Sequence, residues 1–143
     1  MSRQRLTLPT THLFTTKIDV RITDINYGNH VGNDAFVGIL HEARVKWLKH
    51  FGYTELHIEK NIGLIMSTLC INFKSESFYG DCITINLFVG DISKAGFELY
   101  YQLKTVRDDI EIELAVAKTE MVCYNYTAKK VETIPTSFTK ILA

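Results

Sequence analysis

Proline is nearly absent from this chain. Of 143 residues only Pro9 and Pro135 are proline, and both lie near the ends. No interior position carries the break that proline imposes on a helix or a central strand, so residues 1–143 read as one continuous folding unit. Cysteine is scarce and odd in number. Cys70, Cys82 and Cys123 show no C-x-x-C spacing, which argues against a disulfide framework or a thiolate metal site and suits small hydrophobes in a reducing compartment. Net charge is missing too, since 16 Lys and Arg balance 16 Asp and Glu. That argues against a nucleic-acid binder working by bulk positive charge. It also leaves little colloidal repulsion, which favours self-association. No stretch approaches the roughly 18 apolar residues of a membrane span. The opening Met1-Ser-Arg-Gln-Arg-Leu6 has no apolar signal core, so the expected location is cytoplasmic.

What is present is an ordinary globular mixture. Apolar residues make up 46% and charged residues 22%, which excludes a disordered chain. A chain of this length hides about two thirds of its unfolded surface. His12 to Ile22 reads as a strand with Phe14, Ile18, Val20 and Ile22 on one face. Thr23 to Gly32 has loop chemistry, rich in Asn, Asp and Gly. A helix follows from Asn33 or Asp34 to Phe51. Phe36, Leu40, Ala43, Trp47 and Phe51 recur on one stripe. Asn33 or Asp34 suits the first turn, Lys46, Lys49 and His50 suit the last, and Gly52 suits the position after it.

Nearly everything beyond reads as strand: Gly63 to Lys74, Cys82 to Val89, Phe97 to Thr105 and Ile110 to Tyr126. Turns fall at Phe78–Asp81, Lys94–Gly96 and Asp108–Asp109, and Thr133 to Leu142 is a short helix or coil. One strand, one long helix and four consecutive strands make an α+β chain with an antiparallel sheet. A curved sheet wrapped around one central helix covers the helix stripe. The uncovered face or edge of that sheet is left for a partner, most simply a second copy related by two-fold symmetry.

The layout resembles the hotdog fold, and the motifs resemble the 4-hydroxybenzoyl-CoA thioesterase-like branch of the acyl-CoA thioesterases. That branch carries a D-x-D-x-x-G-H-V-N-N loop before a helix ending in E-A-R. Here the matching stretch runs Asp24-Ile-Asn26-Tyr27-Gly28-Asn-His30-Val-Gly32-Asn33, then Glu42-Ala-Arg44. Tyr79-Gly80-Asp81 resembles the branch's turn between long strands. The resemblance spans roughly residues 12–142. It implies hydrolysis of an acyl thioester of CoA or acyl carrier protein, by a dimer or tetramer with sites at the subunit interface. No metal, redox cofactor or nucleic acid is implied. A hotdog enoyl-CoA hydratase or dehydratase, whose loop also orders Asp, Asn and His, is an alternative. So is a non-catalytic acyl-CoA-binding module.

The module enters because the usual catalytic carboxylate, the second Asp of D-x-D, is Asn26 here. A carboxylate acts as base or nucleophile on a thioester, whereas an amide only orients water or donates to a carbonyl. The candidate catalytic residues are therefore Asp24, Asn26, His30 and Glu42. If the chain stays extended, Asp24 and Asn26 point the same way. Glu42 lies two turns beyond Asp34, about 12 Å along the axis, and would serve only from a partner's helix. Tyr27, Gly28, Gly32 and Asn33 are the expected substrate-binding positions. The glycines let a ligand approach the backbone, and the helix N-terminus offers oxyanion donors. Each has a plainer reading as well: an Asx turn for Asp24, a turn residue for Asn26, a loop-fixing histidine for His30, and a surface pair with Lys46 for Glu42. His12, His41, His50 and His57 have no ligand spacing. Lys129-Lys130 reads as a solvated turn.

Overall fold

The computed structural model describes residues 4–143; the expected domain and the opening segment also include residues 1–3, which lie outside the described residues. Strand β1 (Thr11–Asp19) is followed by helix α1 (Asn33–His50). Strands β2 (Ile62–Phe73), β3 (Cys82–Ile92), β4 (Gly96–Arg107) and β5 (Ile110–Asn125) come next, then a two-residue β6 (Lys130–Val131) and a short α2 (Thr136–Thr139). The sheet runs β1-β3-β4-β5-β2, with β6 pairing β5, and every pairing is antiparallel.

The period-2 alternation sets the sheet's inner face. Ile83, Ile85 and Leu87 of β3, Leu99, Tyr101 and Leu103 of β4, and Ala115, Ala117 and Cys123 of β5 are fully buried. Helix α1 lays Phe36, Leu40, Ala43 and Trp47 across that face, as its 3.6-residue period requires. Trp47 stacks edge-on against Phe97 and Phe138, 6.1 Å between centroids in each case, so Phe138 closes the core from the C-terminal end. Phe51, the last residue of the expected stripe, is 42% exposed because the helix has already ended. Gly52, at φ +83°, donates to Lys49 O, and Tyr53 donates to Leu48 O. This is a Schellman stop that needs a left-handed residue.

Arg44, of the E-A-R triplet, turns inward. Its Nη1 donates to the Tyr101 hydroxyl at 3.2 Å, and that hydroxyl lies 2.7 Å from Thr119 Oγ1. Glu42, two residues earlier, is on the outer side of the helix and exposed. The opposite face of the sheet is polar. Lys118 pairs with Glu98 (3.1 Å), Lys74 with Glu113 (2.7 Å), and Gln102 bridges Asn86 and Glu113. That solvated face is poor material for burial. The edge strand β2 is different: it is 12 residues long and exposes Ile65, Met66 and Phe73.

Candidate functional site

The segment between β1 and α1 does not stay extended. β1 ends at Asp19, and Ile22–Asp24 forms a 3-10 turn. Arg21 N–H donates to Asp24 Oδ2 at 2.8 Å, and the Arg21 guanidinium reaches Oδ1 at 3.2 Å and Oδ2 at 3.4 Å. The Asp24 carboxylate is buried, with both oxygens held by Arg21. The extended chain on which Asp24 and Asn26 would point the same way is interrupted by this turn at Ile22–Asp24.

Beyond the turn the loop folds on itself. Ile25 bridges Val31, Asn26 N–H donates to His30 O, and Asn29 N–H donates to Asn26 O. Asn29, at φ +66°, takes the left-handed position of this turn. The Asn26 side chain accepts from Gly28 N–H through Oδ1 at 2.8 Å. That bond fixes the amide, so Nδ2 is the end left to donate elsewhere. His30 Nδ1 sits 3.2 Å from Val31 O; with the proton there, Nε2 is an acceptor. Gly32 N–H to Asp24 O closes the loop, and Val31 N–H to Ser77 O ties it to the turn before β3. Ser77 is itself buried and donates to Asp81 Oδ2, whose carboxylate also takes Phe78 N–H and Arg107 Nε. The Tyr79-Gly80-Asp81 turn is thus the anchor of the loop. Tyr27 and Gly28 are exposed at the loop tip, and Tyr27 has its whole side chain in solvent.

Gly32, not Asn33 or Asp34, is the residue before the first helical turn, and no side chain caps that turn. The first intrahelical bond is Phe36 N–H to Gly32 O. The N–H groups of Asn33, Asp34 and Ala35 therefore have no partner on the helix, and they form the positive end of its dipole.

Four of the expected site residues divide between two cavities, and Asn26, Tyr27, Gly28 and Gly32 line neither. One, about 270 Å³ beside the N-terminus of α1, is lined by His30, Val31, Asn33 and Phe36 on one side and by Phe73, Lys74, Ser75 and Glu76 on the other. The second, about 250 Å³, opens on the β1 side of the helix and contains Asp24 and Glu42 together with Arg21, Lys17 and Lys46. Glu42 shares its stripe with Gly38 and Lys46, which points away from Asn33 and Phe36. The structure thus brings Asp24 to Glu42 and His30 to Asn33, and does not join the pairs in one cavity. Two other cavities of about 360 Å³ are present: one at the β3–β4 turn, away from the loop, and one against Arg5 and Leu6 that shares Phe73 and Lys74 with the cavity of His30. Among the described residues no group of His, Cys, Asp and Glu is placed to hold a metal ion. No helix there is long and apolar enough to cross a membrane.

Sequence reasoning placed Asp34 only as a capping candidate. Its carboxylate lies over Gly32: a Cβ on residue 32 would come 2.5 Å from Asp34 Oδ1 and 3.7 Å from Asn26 Nδ2. The signal was a Gly-Asn-Asp run entering the helix, in which only the glycine lets the carboxylate approach the loop.

The family model of the thioesterase-like superfamily matches residues 20–142. The chain belongs to that superfamily, and the reaction of its class is hydrolysis of a thioester. No curated protein matches the sequence. Among solved structures, a 1,4-dihydroxy-2-naphthoyl-CoA thioesterase from Synechocystis superposes with a TM-score of 0.80 at 23% identity, covering 90% of this chain and 94% of that one. A Staphylococcus aureus protein in complex with CoA gives 0.81 at 18% identity over 97% and 85%. An Asp-to-Asn mutant of 4-hydroxybenzoyl-CoA thioesterase, in complex with 4-hydroxybenzoyl-CoA, gives 0.80 at 14% identity over 91% and 98%. At such identities the likeness establishes the fold, the expected hotdog.

Proposed function

We propose that the protein hydrolyses acyl-CoA thioesters at the N-terminus of α1, in a site that two copies complete along the free edge of β2. The observation that carries this reading is the unpaired N–H trio of Asn33, Asp34 and Ala35 beside the cavity of His30, Asn33, Phe36 and Phe73. Donors fixed on a rigid helix stabilise the oxyanion of a tetrahedral intermediate, and each is worth about 3 kcal/mol in such sites. Phe36 and Phe73, edge-to-face at 5.4 Å, give the acyl group an apolar wall. Gly28, Gly32 and exposed Tyr27 border the loop where the carrier would approach. The complex of a structural neighbour with CoA supports CoA as that carrier.

A second copy is needed because the cavity is an open cleft beside β2, whose outer edge has no strand partner among the described residues. The 12-residue edge strand exposes Ile65 and Met66 in its middle, while Gln4 and Leu6 bond to Asn72 near its end; such an edge is a template for pairing, and two-fold pairing of β2 with its symmetry mate satisfies it. We read residues 1–143 as one domain acting in the cytoplasm. All three cysteines are unpaired, and burial pushes the Cys123 thiol up to about 11, as suits an inert packing residue in a reducing compartment.

The test is to incubate purified protein with a panel of aryl- and alkyl-CoAs and follow free thiol. Release of thiol and acid together is expected. CoA-ester binding without thiol release would mark a binding module instead, and conversion of an enoyl-CoA without thiol release a hydratase.

A further inference from the structure

The cavity wall carries two groups able to take a proton, His30 and Glu76, but neither is rooted in the helical turn that offers the N–H groups. Asn26 is neutral. Asp24 gives both oxygens to Arg21, and Glu42 opens on the other cavity with Lys17, Arg21 and Lys46. Asp34 remains. It is exposed, and its carboxylate has no hydrogen bond or ion pair among the described residues. It also lies next to the helical stripe of His41. His41 Nε2 lies 2.8 Å from Glu55 Oε1, just before β2, so this stripe is the one on the β2 side of α1. Asp34 lies between this stripe and that of Gly38, one turn on, so it is nearer the β2 side than Glu42 is.

Resting on the thioesterase reading above, we propose that Asp34 is the general base and that Asn26 holds the water it deprotonates. Asp34 Oδ1 and Asn26 Nδ2 flank the same point beside Gly32. Nδ2 is the free donor because Oδ1 is held by Gly28 N–H. A water between them accepts one bond from Nδ2 and donates one to the carboxylate, leaving a lone pair for attack. Its oxygen forms a bond to the thioester carbon as Asp34 takes its proton. The carbonyl electron pair moves onto oxygen, facing the N–H groups of the first helical turn. Collapse of the intermediate breaks the carbon–sulfur bond, and the leaving thiolate takes the proton from Asp34, giving free acid and thiol. His30 and Glu76 line the cavity itself, whereas Asp34 only adjoins its Asn33 wall, but those two hang from the loop and from the segment after β2. Asp34 is rooted in the same turn as the oxyanion donors, so its distance from them is fixed.

Steady-state thiol release tests this with wild type, Asp34→Asn, Glu76→Gln and the double variant Asn26→Asp/Asp34→Asn, each checked by thermal melt and CoA affinity. Asp34→Asn is expected to lower kcat by at least about 100-fold, with KM and CoA affinity within about threefold. The double variant should recover at least about tenfold over Asp34→Asn, because a carboxylate then stands on the other flank of the same water. Activity of Asp34→Asn within about threefold of wild type overturns the proposal. So does a larger loss in Glu76→Gln, a kcat loss matched by an equal loss of CoA affinity, or a double variant with no recovery. A wild type that releases no thiol from any ester sinks the hydrolase reading itself, which is a separate result.

Discussion

Asp24 and Glu42 line the same cavity on the β1 side of α1, and Asp24 enters it with both carboxylate oxygens already held by Arg21. The arrangement makes Asp24 a fixing point of the loop, since its own carbonyl receives Gly32 N–H at the start of the helix. Asp24→Asn weakens the Arg21 grip and leaves a buried amide with a mismatched partner. A loss of about 1–3 kcal/mol is expected, read as a lower denaturant midpoint with an unchanged slope.

Gly32 is the position where fold and chemistry separate. Its φ of −70° is open to alanine, so Gly32→Ala costs little backbone energy. The new Cβ, however, would sit 2.5 Å from Asp34 Oδ1 and drive that carboxylate off the loop. The expected outcome is a thermal midpoint within a few degrees of wild type and a kcat at least about tenfold lower, measured on the same preparation. Full activity in Gly32→Ala would show that the carboxylate's place over residue 32 is irrelevant.

In the proposed assembly the β2 edge forms the contact between copies. Met66 is 41% exposed there, and a charge on an edge strand opposes pairing with another edge. Wild type is expected to run as a dimer or tetramer in light scattering and Met66→Lys as a monomer with reduced thiol release. A wild-type monomer at all concentrations would remove the seam from the account.

Acid sensitivity follows from the outer face of the sheet. The Asp91 N–H bond, aided by Lys118, holds the Glu98 carboxyl below its ordinary 4.5, and the Lys74 bond does the same for Glu113. A carboxyl depressed in the folded state binds protons less readily than in the unfolded chain. Its contribution is thus fully present above about pH 4.5 and is lost as pH falls through the lower folded value. Glu98→Gln/Glu113→Gln should therefore cost stability at pH 7 and flatten the fall in denaturant midpoint below pH 4.5. Both groups are partly exposed, so the effect is modest.

Much of the fold was legible because its signals are local. The Phe36–Trp47 stripe, the Gly52 stop and the Asp108–Asp109 turn, both at positive φ, are written within a few residues of where they act. The loop motif and the E-A-R triplet gave the fold and reaction class. The division of the site was not legible, because it depends on which side of α1 each residue faces once the helix is docked. Sequence spacing aligned Asp24 with Asn26 along an extended chain, but Asp24 ends a 3-10 turn at Ile22–Asp24 and its carboxylate is held by Arg21. β6 was missed because two residues carry no period. Asp34 was missed because an acidic residue in a first helical turn is ordinary chemistry for the dipole, and only its approach to Gly32 and Asn26 distinguishes it.

The most direct measurement is the stoichiometry of products from a single acyl-CoA incubated with the wild-type protein, with thiol and free acid quantified over the same time course. The account predicts that the two appear in equal amounts, at a rate proportional to protein. Bound ester recovered intact after long incubation would contradict it.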